Sequence, residues 1–95
     1  MAQVLMYRTR FCPYCVMAGR LLRKKGVDFD EIDVSRDRER RAWLLEATGQ
    51  GTVPQIFVGT RPIGGCDELH SLERSGELDE LLAQAAAADR TPDGA

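Results

Sequence analysis

Cys12 and Cys15 are the residues whose type and spacing point most directly to chemistry. They lie in the stretch Arg10-Phe11-Cys12-Pro13-Tyr14-Cys15, between a short apolar run and an amphipathic one. A Cys-x-x-Cys beside a strand–helix unit in a small protein reads as a dithiol redox motif. Helical residues three apart share a face, so the two thiols can meet across a first turn and close a disulfide. The first cysteine then sits where helix N–H groups are unpaired and the macrodipole is positive. That site favours the thiolate, the nucleophilic form. Pro13 suits the first helical position, where a missing N–H costs nothing, and it argues against a loose metal-binding loop.

The elements that must hold this stretch follow from the pattern around it. Val4 to Tyr7 is a continuous apolar run of strand length, which fits a strand buried on both faces. After Tyr14, apolar residues recur at Met17, Ala18, Leu21 and Leu22, at helical spacing toward a core, and Gly26 is a plausible stop. Val27 to Val34 reads as a strand near an edge. Ser35 can cap a helix from about Arg36 to Thr48, with Trp43, Leu44 and Ala47 as its buried stripe and Gly49 at its end. Gln55 to Val58 is a strand, Gly59-Thr60 a hairpin turn, and Arg61-Pro62-Ile63 a return strand at an edge. Asp67 can cap a helix carrying Leu69 and Leu72, broken near Ser75-Gly76, and Leu78, Leu81, Leu82 and Ala85 mark a last helix. The order strand, helix, strand, helix, strand, strand, helix, helix predicts an α/β fold. Its sheet would be four-stranded and mixed, with helices on both faces.

The bulk numbers bound the function. The 95 residues suffice for one domain, taken as 1–88, with 89–95 as a frayed tail. Thirteen Lys and Arg against fifteen Asp and Glu give a net charge of −2, which does not suggest nucleic acid as a partner. No apolar run approaches the about 20 residues of a membrane helix. Met1-Ala2-Gln3-Val4 shows no export signal, so a reducing cytoplasm is expected.

Three stretches together carry a resemblance: Cys12-Pro13-Tyr14-Cys15, Thr52-Val53-Pro54 and Gly64-Gly65-Cys66-Asp67. In this order and spacing the chain closely resembles a dithiol glutaredoxin of the small bacterial type, over roughly Val4 to Leu82. The resemblance implies the thioredoxin fold and glutathione-dependent reduction of protein–glutathione mixed disulfides and protein disulfides. Cys12 would be the nucleophile and Cys15 the resolving thiol. Glutathione would be a co-substrate, with no tightly bound cofactor and no metal. The resemblance also implies a cis bond before Pro54, with the Val53 backbone pairing the cysteinyl part of glutathione and Thr52 beside it. Gly65, the Cys66 N–H and the Asp67 side chain would take the γ-glutamyl end, and Tyr14 would pack against the tripeptide or cover the disulfide. One departure matters: the family often has a lysine where this chain has Thr9. Arg10 is the nearest substitute, and Arg41 matches a position facing the glycine carboxylate. A guanidinium differs from an ammonium in reach and geometry.

Plainer readings stand beside these. Cys12 and Cys15 could be packed thiols, Asp67 simply a helix cap, and Trp43 a core residue. Cys66 is either a quiet thiol or an oxidation-prone one. Cys12, Cys15, Cys66 and His70 have spacings that could make a zinc site, although His70 reads better on a solvated helix face. Arg20, Arg23, Lys24 and Lys25 form a solvated basic face that could steer acidic partners. Arg36 to Arg41 reads as a solvated face with Arg41 the exception. The expected protein is a monomer with disulfide-containing or glutathionylated clients. Ribonucleotide reductase is a family-typical client that nothing here selects. Two other functions compete: an iron–sulfur cluster carrier, and a glutaredoxin-like donor reduced by thioredoxin reductase.

Overall fold

The computed structural model describes residues 4–90; the expectations for Met1–Gln3 and for most of the tail, residues 91–95, fall outside them. Eight elements follow the expected order: β1 (Val4–Arg8), α1 (Pro13–Lys24), β2 (Phe29–Asp33), α2 (Arg38–Thr48), β3 (Gln55–Val58), β4 (Arg61–Gly64), α3 (Cys66–Ser75) and α4 (Glu77–Arg90). The strands form one sheet in the order β2-β1-β3-β4. β1 pairs parallel with β2 and antiparallel with β3, which pairs antiparallel with β4. The fold is thioredoxin-like, as expected, and the two strands assigned to edges are the edges.

Alternation along the central strands sorts the core into two layers. Val4, Met6, Ile56 and Val58 face one side, where Ala18 and Leu22 of α1, Leu69 of α3 and Leu78 of α4 pack on them. Tyr7 and Phe57 face the other side, toward Val34, just after β2, and Leu44 of α2. Side chains two apart on a strand share a face, so β1 serves both layers and is apolar from Val4 to Tyr7.

The helix edges differ from the sequence reading in instructive ways. Cys15 turns inward, so the buried stripe of α1 is Cys15, Ala18, Gly19 and Leu22. Met17, expected in the core, is therefore exposed, as is Tyr14. α2 begins two residues later than expected, because Asp37 and not Ser35 is the cap: its carboxylate accepts the Arg40 N–H at 2.9 Å. Of the stripe expected on α2 only Leu44 is buried. Ala47 is exposed, and Trp43 keeps 48% of its surface open while its ring packs on Tyr7 and Phe57. A lone helix on that side cannot enclose so large a ring. α3 begins at Cys66, with Gly65 at the cap, so Asp67 lies inside the first turn. Lys25 is not part of a solvated face, because its ammonium bridges Glu73 at 2.7 Å and Asp79 at 2.8 Å.

Candidate functional site

β1 delivers the chain to the dithiol and α1 leaves from it. Cys12 is the cap of α1, with extended backbone, and Pro13 occupies the first helical position. The Cys15 N–H points at Cys12 Sγ, 3.1 Å away. The two sulfurs are joined as a disulfide across Cα atoms 5.2 Å apart. A nucleophilic Cys12 is expected to be exposed with Cys15 behind it; instead both are buried, Cys15 wholly and Cys12 with 9% of its surface open, so Cys12 is the more accessible of the two without being an exposed thiol. Of the two sulfurs, only that of Cys12 also reaches the Val53 carbonyl, at 3.9 Å.

The loop before β3 brings the second motif beside the first. The Val53–Pro54 bond is cis, as expected. Gln55 holds this loop from beneath: wholly buried, its Nε2 donates to Thr52 O at 2.8 Å and to Gln50 Oε1 at 3.1 Å. Sequence reasoning assigned Gln55 only to a strand; a glutamine inside an apolar strand was the available signal.

The third motif closes the far wall. Gly64 has φ +104°, and a Cβ there would lie 2.8 Å from Glu68 Cγ and Oε1. A Cβ on Gly65 would meet the Pro54 carbonyl at 3.1 Å. Two glycines thus let the α3 start approach the cis-proline loop closely. Glu68 reaches back to accept the Gly65 N–H at 2.7 Å, half of a capping box, since glycine has no side chain to reciprocate. The first intrahelical bond is Leu69 N–H to Gly65 O at 3.0 Å, which leaves the N–H groups of the preceding turn available to an anion.

Tyr14, Thr52, Val53, Pro54, Gly65, Cys66 and Asp67 line one groove of about 310 Å³, together with Gln50 and Glu68. Every expected glutathione residue but two is in it. Arg10 and Arg41 line a separate hollow of about 370 Å³ with Thr9, Phe11, Ser35 and Arg36. The two hollows flank Cys12 along the chain, one bounded by Phe11 and the other by Tyr14. The first has an acidic end at Asp67 and Glu68, and the second is rich in guanidinium.

Arg10 is tied in place by its backbone. Its N–H donates to Ser35 Oγ at 2.8 Å, and the Ser35 N–H donates to Asp33 Oδ1 at 2.8 Å. The Ser35 hydroxyl and amide hold the Asp33 carboxyl below its ordinary range, with the charges of Arg10 and Arg8 adding. Cys66 is buried, and burial raises its thiol pKa, helped by the neighbouring Asp67 and Glu68 charges. His70 Nδ1 donates to the Cys66 carbonyl of its own helix at 2.9 Å and lies 3.5 Å from Cys66 Sγ, and the residue is half-buried. The four candidate zinc ligands therefore separate into a disulfide and a Cys66–His70 pair. Among the described residues no group of three or more His, Cys, Asp or Glu is placed to hold a metal.

Comparison with known proteins matches this geometry. A sequence model of the family described as Glutaredoxin matches residues 4–63. A glutaredoxin of Pseudomonas aeruginosa is 52% identical over 83 residues, covering 87% of this chain and 99% of that one. Glutaredoxin 3 of Escherichia coli K12 is 44% identical over 82 residues, covering 86% and 99%. The crystal structure of a buckwheat glutaredoxin–glutathione complex superposes with a TM-score of 0.83 at 31% identity, covering 90% of this chain and 80% of that one. With a redox-active cysteine pair at a helix start, a cis-proline loop against it and this sheet order, the chain belongs to the glutaredoxin family.

Proposed function

We propose that this thiol–disulfide oxidoreductase is glutathione-dependent, and that it reduces protein–glutathione mixed disulfides and protein disulfides. One observation carries the reading. The three motifs assemble a groove beside Cys12, acidic at the Asp67 end, while Arg10 and Arg41 supply guanidinium beyond Phe11. That polarity suits a tripeptide with an ammonium and carboxylate at its γ-glutamyl end and a lone carboxylate at its glycyl end. Asp67 takes the ammonium and the first-turn N–H groups of α3 take the neighbouring carboxylate. The Val53 backbone pairs the cysteinyl residue, Thr52, Pro54, Gly65 and Cys66 shape the walls, and Tyr14 covers the tripeptide. Arg10 and Arg41 take the glycyl carboxylate. The solved glutaredoxin–glutathione complex with the same fold supports the choice of ligand.

The chemistry balances as two exchanges. The Cys12 thiolate attacks the glutathione sulfur of a mixed disulfide, breaking its S–S bond and releasing the client thiolate, which takes up a proton. A glutathione thiolate then attacks the Cys12–glutathione disulfide, forming oxidised glutathione and restoring the Cys12 thiolate. With a protein disulfide, Cys12 forms a mixed disulfide with the client. Cys15 then attacks Cys12 Sγ, expels the second client thiolate and leaves the Cys12–Cys15 disulfide. Two glutathiones reduce that bond through a Cys12–glutathione intermediate. A dithiol that must be kept reduced fits a cytoplasmic setting, and nothing in the cycle requires more than a monomer.

Cys12→Ser is expected to abolish both reactions. Cys15→Ser is expected to keep turnover of a glutathione mixed disulfide and lose reduction of a protein disulfide. Loss of both activities in both variants, measured with NADPH-coupled glutathione reductase, would remove the role assignment.

A further inference from the structure

The hollow beyond Phe11 holds more positive charge than a tripeptide can use. Arg10, Arg36 and Arg41 are exposed around it. Among the described residues none of the three is in an ion pair, which is equally true of Arg20, Lys24, Arg38, Arg61 and Arg74; what sets the three apart is that they line one hollow beside Cys12. The nearby carboxylates are engaged: Asp33 by Ser35, with the Arg10 charge adding, and Asp37 by the Arg40 N–H and guanidinium. On a chain of net charge −2 this is a local excess of cation. The glycyl end of glutathione brings one carboxylate, which Arg10 and Arg41 suffice to hold. Arg36 is then left over.

The wall of the same hollow is equally unspent. Phe11 is 89% exposed, the most open of the large apolar side chains. It directly precedes Cys12 and stands on the side of Cys12 away from the Val53 and Asp67 groove, where a chain leaving the sulfur on that side would meet it. A bare phenyl ring beside unpaired guanidinium offers apolar contact and charge to one approaching segment. A small disulfide would reach neither Phe11 nor Arg36.

Resting on the glutathione reading above, we propose that Phe11 and Arg36 form a client-docking subsite for protein segments that carry an acidic residue beside the target cysteine. Glutathione occupies the groove at Val53 and Asp67, and the client chain leaves the sulfur across Phe11, with its carboxylate toward Arg36. The subsite acts on choice of client, through encounter and docking, and leaves the sulfur exchange itself unchanged.

The test uses three glutathione mixed disulfides: a peptide with Glu beside the cysteine, the same peptide with Gln, and a small hydroxyethyl disulfide. Wild type is expected to favour the Glu peptide over the Gln peptide, and to lose that preference at high ionic strength. Arg36→Gln is expected to lower kcat/KM for the Glu peptide about three- to fivefold, the range of an exposed ion pair. It should leave the other two substrates unchanged, and Arg36→Lys should restore most of the loss. An equal loss on all three substrates would place Arg36 in the glutathione groove and overturn the proposal, as would the absence of a Glu preference in wild type. If no glutathione mixed disulfide is turned over, the glutathione reading itself fails and the docking subsite falls with it.

Discussion

Cys12 and Cys15 differ in what surrounds them although they share a turn of helix. Cys12 caps α1 and receives the Cys15 N–H, so its anion has a donor waiting and the positive end of the helix behind it. Cys15 is wholly buried, where an anion is costly. Gly64 is set as firmly by its surroundings. Its positive φ and the 2.8 Å approach of Glu68 leave no room for a Cβ. Gly64→Ala is expected to destabilise the fold by about 1–3 kcal/mol, read as a lower urea midpoint at unchanged slope. It should also weaken glutathione binding, since Glu68 would lose its hold on the Gly65 N–H. At this scale the sequence spoke clearly wherever chemistry fixes a residue type: both cysteines, Pro54 and the glycine pair stand where the motifs placed them. It spoke poorly on orientation. Tyr14 and Met17 fit a helical apolar stripe as well as Cys15 and Leu22 do, and the disulfide decides which set turns inward.

Among the elements, the crossover from β2 to α2 does more than connect. Asp33, at the end of β2, holds Ser35, and Ser35 holds the Arg10 N–H two residues before Cys12. Ser35→Ala is expected to cost stability at the low end of about 0.5–1.5 kcal/mol, because these groups face water, and to loosen the approach to Cys12. The pH dependence follows from the direction of the Asp33 shift. Its folded pKa lies below the model-peptide value, so its contribution is present above that value and fades as pH falls through the folded one. Melting curves of wild type and Ser35→Ala should therefore differ most at neutral pH and draw closer in acid, where only the Arg10 N–H bond to Ser35 still separates them. The extent of α2 was misread for a related reason. Ser35 and Asp37 are both good caps by type, and Asp33 and the Arg10 amide claim Ser35 first, so the helix waits for Asp37. The edge position of β2 was legible from its acidic residues, and that of β4 from Pro62, which donates no ladder hydrogen bond.

For the molecule as a whole, stability rests on the layer that packs α1, α3 and α4 against the sheet. Met6, Leu22, Ile56, Leu69 and Leu78 are fully buried there. Leu22→Ala is expected to cost about 2–5 kcal/mol by chemical denaturation. Lys25 ties the same three helices through Glu73 and Asp79, and its pKa is raised by those hydrogen bonds. Its contribution is constant at neutral pH and is lost only as pH rises through the raised value, so Lys25→Gln should lower Tm equally at pH 6 and 8. Strand order, crossover and layer were all legible, because hydrophobic period and connection rules leave few alternatives. The division of the site into an acidic groove and a separate arginine hollow was not. That division depends on where Phe11 and Tyr14 stand on either side of Cys12, which no spacing of letters records.

The account depends on a thiolate at Cys12 that is ready to exchange. The direct measurement is a short iodoacetamide pulse on the reduced protein across a pH series, with each cysteine quantified by mass spectrometry. Cys12 is predicted to be labelled well below the ordinary thiol range of about 8.5, while Cys15 and Cys66 stay protected until alkaline pH. Labelling of Cys12 only at or above that ordinary range, or Cys66 reacting first, would contradict it.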